Sequence, residues 1–510
     1  MRWSGDVAII TGRYSSIDDS TVMELWSRAR SGESVLLRVH GVRAWFEVTP
    51  NGRWVEGDEP PSLPDHFEEV VEISEPVMKW TDLGIKPVWK VYVSQPFMVP
   101  KLRKELSGRW TVLSGDIPFV NRFFLDGDLS MHVSVDGEVG QTEHPVDVCL
   151  ELTMDDVSHC EPFPAPFKIF SFDLETSIAH NTILCAAVVT EDMGTGERTH
   201  HTYAEDEESI LKQLTELVRS TDPDIITGYN IDNFDMGRIV DRANLISKRD
   251  KSKKVETMGW GRVSTSEEGR RRDTLYPTRG VSRAWNVGGR CVMDAWWQAR
   301  QALRPQRETL KFVSNLLFPD DEDMQKMDVD ASKMDEEWAN RPDVVIEYCL
   351  RDAELPLDIM HAIQAFRRKE AVAAVAKVSL DTSANGTTSQ LIDSLVIRMA
   401  DRTAIGVPLT ASADKKEGQI EGGYVHDVKA GLHRWVAILD FKSMYPSIMI
   451  GKNICYTTRI DDSSTDQPTK DEISYESPTG AKFRNEKGRR GMVPTPVSYT
   501  HLRAHETDSY

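Results

Sequence analysis

The stretch Phe167-Lys168-Ile169-Phe170-Ser171-Phe172-Asp173-Leu174-Glu175-Thr176 decides how this chain is read. Phe167, Ile169 and Ser171 alternate with Lys168, Phe170 and Phe172, and the aromatic and β-branched content predicts a strand. Residues two apart on a strand share a face, so Asp173 and Glu175 set their carboxylates side by side. Such a pair repels unless one member is protonated or a divalent cation lies between them. A solvated strand end would show the same D-x-E, which by itself is a weak motif. Acidic residues further along the chain decide between the two readings.

Downstream, Ile183–Thr190 is expected to be the hairpin partner of this strand. Glu207–Ser220 carries apolar residues at 210, 211, 214, 217 and 218, close to the 3.6-residue period of a helix. The run from Asp224 to Asp235 reads as a short buried strand, a turn through Asn230, and a helix beginning at Asp235. A carboxylate there is also what an ordinary helix cap looks like. Residues 245–290 are the most basic part of the chain, with Arg270, Arg271 and Arg272 at its centre and Trp260 and Trp285 interleaved. Clustered cations with aromatics can track a phosphate backbone and stack bases, or simply form a solvated loop. A helix is predicted over about 343–366, with Tyr348 and Asp352 on one face and a kink or restart at Pro356. A further helix at 389–400 leads to a flexible turn at Gly422-Gly423-Tyr424. In Trp435 to Ile448, an apolar run reads as a buried strand delivering Asp440 at its tip. Ser443, Met444 and Tyr445 should form a tight strand-to-helix turn, because Pro446 suits a first helical turn. Backbone N–H groups in such a turn can cradle phosphate.

Residues 1–162 read as a mixed α/β domain, with strands near 7–10 and 87–93, a β-rich stretch over 34–48, and a turn at 50–52 before Trp54. Thr21-Val22-Met23-Glu24 has the spacing of a capping box and predicts a helix through Arg30. Lys101, Arg103 and Lys104 lie on a short basic helix whose simplest role is a solvated face. The 510 residues suffice for about three domains. A net charge of −20 argues against a nucleic-acid partner when taken as a bare sum. Metal-ligating carboxylates enter that sum, however, and a local basic groove can coexist with an acidic remainder. Six scattered cysteines without a C-x-x-C pair predict reduced thiols and a cytoplasmic protein. No run approaches the length of a membrane span, and no apolar leader follows Met1.

D-x-E on a strand, N-x-x-x-F-D at a strand–helix junction and Y-x-x-x-D on a helix form an ordered set. It resembles the proofreading 3′-to-5′ exonuclease of family B DNA polymerases, of the archaeal-like replicative type with a DEDDy site. Asp440-Phe441-Lys442-Ser443-Met444-Tyr445-Pro446-Ser447-Ile448 is similar to their first palm motif, and Glu421-Gly422-Gly423-Tyr424 to the glycine-rich element before it. The resemblance implies an α/β architecture. A mixed N-terminal domain (1–162) would precede a ribonuclease H-like exonuclease domain (163–362), linking helices (363–405) and the beginning of a palm (406–497). Residues 498–510 do not resemble the family. Asp173, Glu175, Asp235 and Asp352 would hold two Mg²⁺ or Mn²⁺ ions, Tyr348 would orient the attacking water, and Asn230 and Phe234 would contact the bound strand. Asp440 would ligate the metals of an incoming deoxynucleoside triphosphate, with Ser443, Met444 and Tyr445 around it and Tyr445 excluding a 2′-hydroxyl. The second palm carboxylate, the fingers and the thumb of the family are missing from these residues. The expected reading is therefore a polymerase fragment whose remaining chemistry is hydrolysis of DNA 3′ ends. A stand-alone DEDDy nuclease and a non-catalytic DNA-binding fragment are the alternatives. Primer-template DNA and single-stranded 3′ ends are the implied partners, with a sliding clamp for the full-length family and no membrane.

Overall fold

The computed structural model describes residues 1–17, 20–52, 70–81, 84–248, 250–264, 274–280, 284–320, 329–410, 426–441, 443–460, 468–478 and 480–494. The chain divides into two compact units, Met1–Val42 with Phe119–Leu395, and Arg43–Pro118 with Val396–Tyr510. The stretch expected as one N-terminal domain, 1–162, is thus shared between them.

In the first unit the deciding stretch forms the strand Lys168–Thr176. It pairs antiparallel with Ile183–Asp192, as expected, and parallel with Ile225–Thr227. The five-stranded sheet runs Glu197–Tyr203, Ile183–Asp192, Lys168–Thr176, Ile225–Thr227, Cys291–Val292. Helices cover both faces, which is why the strand is apolar on both sides of its alternation. Phe170, Phe172 and Leu174 pack with Ile210, Leu211, Leu214 and Val218 of the helix Glu207–Thr221. Ile169 packs with Val345, Cys349 and Ala353 of the helix Pro342–Ala362. Each fully buried phenylalanine contributes about 2 kcal/mol, so the strand is fixed firmly in register.

The other sheet of this unit has six strands, ordered Arg2–Ile17, Ser20–Ala29, Ser34–Val39, Val148–Leu152, His132–Val139, Val157–His159. Arg2–Ile17 pairs back onto His132–Val139, closing the sheet on itself. The helix expected from Thr21 is therefore a strand. Met23, Leu25 and Ala29 fill the interior with Val7 and Ile9. On the opposite face, Glu24 pairs with Arg13 at 2.8 Å and Arg38 at 3.2 Å, and Arg28 with Asp224 at 2.7 Å. Both faces of the strand thus find partners, and two flanking strands override the local capping signature.

Part of the basic stretch is core, while Lys248, Lys251 and Arg279 are exposed. Trp260 is buried against Phe170 and Phe172, and its indole donates to Thr215 Oγ1. Trp285 is buried and donates to the Asp232 carbonyl. Arg262 and Arg290 are buried beside Asp222, each at less than 3 Å. These are core residues, and solvent or a phosphate backbone does not reach them. Arg270, Arg271 and Arg272 lie outside the described residues. The helix does not restart at Pro356 but continues from Pro342 to Ala362 with the proline inside it. The break falls instead at Gln364, in left-handed conformation with φ 52°, before the helix Ala365–Ala376.

In the second unit, Val70–Ile73, Gly84–Val93, Ala44–Pro50 and Trp110–Leu113 form a sheet in that order, with Val77–Thr81 also on Gly84–Val93. The expected basic helix is Val99–Leu106. Ser443, at φ 49°, turns the chain into the helix Met444–Gly451, as Pro446 predicts. The strand expected at 435–441 does not form. No described strand pairs with these residues, and Trp435, Ile438, Leu439 and Phe441 are at least 80% exposed. Gly422, Gly423, Tyr424 and Trp54 fall outside the described residues. Among the described residues no helix is long and apolar enough to cross a membrane.

Candidate active site

The face of Lys168–Thr176 that carries Ile169 also carries Ser171, Asp173 and Glu175. Ser171 Oγ donates to the Ala353 carbonyl at 2.6 Å, and Cys349 Sγ to the Asp173 carbonyl at 3.4 Å. These two bonds set the register between strand and helix and bring Asp352 to the paired carboxylates. Asp173, Glu175 and Asp352 each offer an oxygen, all within 4.8 Å of one another. Tyr348 sits one turn earlier on the same helix face and hydrogen-bonds Asp352. Burial first, then the charges of Asp352, Glu175 and Asp173, push its phenol well above the ordinary tyrosine range.

Asp235 arrives by another route. The buried strand Ile225–Thr227 ends at Gly228, where a Cβ would lie 2.4 Å from the Phe172 carbonyl, so only glycine permits this approach to the strand Lys168–Thr176. Asn230 follows with φ 66°, a left-handed conformation that asparagine tolerates. The helix Asp235–Ile246 then begins. Asp235 is buried, and its carboxylate takes a hydrogen bond from the Leu174 backbone, between Asp173 and Glu175. It is therefore not a solvated cap. Burial, with the negative charges of Asp294 and Asp352, raises its carboxyl to about 7. Asp173, Glu175, Asp235 and Asp352 all line one cleft of about 490 Å³, together with Asn230, Phe234 and Trp296. Phe234 is 42% exposed at this cleft.

One residue of this site went unnoticed in the sequence. Asp294, 1% exposed, accepts from the backbone N–H of Asn230 (2.9 Å) and Asp232 (3.1 Å) while capping the helix Ala295–Leu303 through Trp296 N (2.9 Å). It holds the turn that delivers Asp235. An aspartate directly after an apolar strand and before Ala-Trp-Trp is a helix-start signal that could have flagged it. Of the palm residues, Asp440 is exposed, and the only three-ligand group among the described residues is Asp173, Glu175 and Asp352. Met444 and Tyr445 are 42% and 76% exposed on the first turn of their helix.

Close-set, part-buried carboxylates with hard oxygen donors fit divalent cations, which would offset the mutual repulsion of the set. A mixed sheet whose central strand ends in this carboxylate group, covered by the helix that carries Asp352, is a ribonuclease H-like arrangement. The family model described as "DNA polymerase family B, exonuclease domain" matches residues 185–313, and that of "DNA polymerase family B" matches 378–499. The DNA polymerase delta catalytic subunit of Caenorhabditis elegans is 30% identical over 298 residues, 56% of this chain and 26% of that protein. The rice subunit (Oryza sativa subsp. japonica) is 25% identical over 553 residues, 94% of this chain and 49% of that protein. The solved family B DNA polymerase of the archaeon Pyrobaculum calidifontis shares the fold, with TM-score 0.75 at 20% identity over 99% of this chain and 64% of that one. Both models are of family B DNA polymerases, and together they match just under half of the chain. It spans between a quarter and a half of the length of these curated relatives.

Proposed function

We propose that this chain removes nucleotides from DNA 3′ ends by metal-dependent hydrolysis, as the proofreading part of a replicative DNA polymerase. The observation that carries this reading is the convergence of Asp173, Glu175 and Asp352 within 4.8 Å, in a cleft that Asp235 also lines. Mg²⁺ or Mn²⁺ bound there supplies a water of lowered pKa and neutralises charge on the phosphate and the leaving 3′ oxygen. The four carboxylates fix where such ions would sit. Tyr348 keeps its phenol proton at any working pH, so its hydroxyl can orient the attacking water without itself taking a proton. Asn230, on its left-handed turn, and Phe234, exposed at the cleft, are the groups available to hold the terminal nucleotides.

The polymerase side of the proposal rests on residues 378–499. Asp440 would be a palm metal ligand, Ser443 and Met444 would neighbour the triphosphate, and Tyr445 would gate the sugar. Gly422, Gly423 and Tyr424 would flank the template, and Arg270, Arg271 and Arg272 would contact DNA. Deoxynucleoside triphosphates, primer-template DNA, a sliding clamp and a cytoplasmic setting belong to the proposed full-length protein. A stand-alone nuclease is disfavoured because residues 378–499 match the polymerase family model.

The test is release of labelled 3′ nucleotides from single-stranded DNA in Mn²⁺. The double variant Asp173→Ala, Glu175→Ala should lose about 10³-fold or more, the ~4 kcal/mol of transition-state stabilisation that a lost metal site removes. Degradation at the parental rate would overturn the assignment.

A further inference from the structure

We propose that Trp296 is a stacking platform for the 3′-terminal nucleobase of a single-stranded DNA end, a reading that builds on the nuclease proposal. Its indole is part-exposed in the same cleft as the four carboxylates. The ring is held on several sides. The Arg300 guanidinium carbon lies 5.4 Å from its centroid, and Arg300 Nε is 3.2 Å from Glu308 Oε1. The Glu308 carbonyl in turn accepts from Tyr229 Oη at 2.7 Å. Trp296 N and Asn230 N both donate to Asp294 Oδ1, each at 2.9 Å. The backbone of Trp296 and the turn leading to Asp235 therefore share one buried anchor, which sets where the indole emerges relative to the carboxylates.

A rigid, flat apolar surface beside a phosphate-hydrolysing centre has an evident ligand. Every nucleobase has a π face, so stacking accepts any of the four without reading its edges. Only an unstacked, unpaired end can present that face, which would favour a frayed terminus over a paired one. The arginine behind the ring adds cation–π attraction, and its charge suits a polyanionic strand.

The experiment uses the full chain in EDTA, so that no hydrolysis occurs, and a single-stranded oligonucleotide ending in 3′ 2-aminopurine. Its fluorescence should be quenched on binding to the parent. Trp296→Ala should abolish the quenching and weaken binding about ten-fold, the scale of one base–aromatic stack. Trp296→Phe should keep most of both effects, whereas Trp296→Leu, which also fills the site, should lose the quenching. An oligonucleotide with an abasic 3′ end should bind parent and Trp296→Ala equally. Quenching by Trp296→Leu equal to that by Trp296→Phe, or Trp296→Ala binding both oligonucleotides as the parent does, would overturn the proposal. Should the parent fail to hydrolyse DNA in Mn²⁺ while Trp296-dependent quenching persists, the catalytic reading falls and the base-binding site stands.

Discussion

Asp294 shows how much a single carboxylate can organise. Asparagine in its place would keep the helix cap but could no longer accept through both oxygens, leaving either Asn230 or Asp232 with an N–H facing an amide. An unmade buried hydrogen bond costs roughly 1–3 kcal/mol. Asp294→Asn should therefore lower single-turnover cleavage of 3′-labelled DNA by about ten-fold, with a thermal midpoint only a few degrees below the parent. Cleavage at the parental rate would mean the turn holds its shape without Asp294. Asp173, Glu175, Tyr348 and Asp352 were legible in the sequence because their relations are local: two residues apart on a strand, four apart on a helix. Asp294 was not, since its partners lie 64 and 62 positions away and only the sheet brings them together.

At the level of elements, the strand Ser20–Ala29 marks where local signals failed. Its Thr-x-x-Glu spacing suits a helix, yet Glu24 spends its charge on Arg13, Arg38 and His144 across the sheet. Burial by itself would raise the Glu24 carboxyl, but His144 and Arg13 outweigh it and hold it at about 2. A folded-state value below the ordinary ~4.3 of an unfolded chain means a contribution fully present above pH ~4.3 and lost as the pH falls towards 2, on the order of 3 kcal/mol. Thermal midpoints taken between pH 6 and 3 should fall, and Glu24→Gln should make that decline shallower. An identical slope in the variant would assign acid sensitivity to other carboxylates, with Asp222 and Asp224 the next to test. The nuclease strands and helices were legible because alternation and 3.6-residue periodicity agreed with burial there. No restart follows Pro356 because helix packing against the sheet tolerates one missing donor. The run at 435–441 was misread because hydrophobicity predicts burial only where something is available to cover it.

Across the whole molecule, the two units have unequal standing. The first gathers Asp173, Glu175 and Asp352 within 4.8 Å in a cleft that Asp235 also lines; in the second, Asp440 lies on an exposed segment without strand partners among the described residues. Phosphoryl transfer to a primer needs two cations clamped between attacking and leaving oxygens. The 510-residue chain, given primed template, natural triphosphates and Mg²⁺, should extend no further than an Asp440→Ala control. Extension by the parent that the control lacks would reveal a second carboxylate reaching Asp440.

The first unit also sets a limit on portability. Arg28 bonds Asp224 across 196 residues of chain, and Ala8, Ile10 and Met131 share one apolar cluster with Phe167, Ile169 and Cys291. The exonuclease is therefore not a cassette that can be lifted out at residue 163. A graft of 163–362 alone would arrive with one wall missing, its Asp224 short of one guanidinium and Phe167 facing water. The smallest transplantable unit has to bring residues 1–42, 119–162 and 363–395 with it, and a recombination event that respected only the acidic motifs would deliver the carboxylates on an unfinished scaffold.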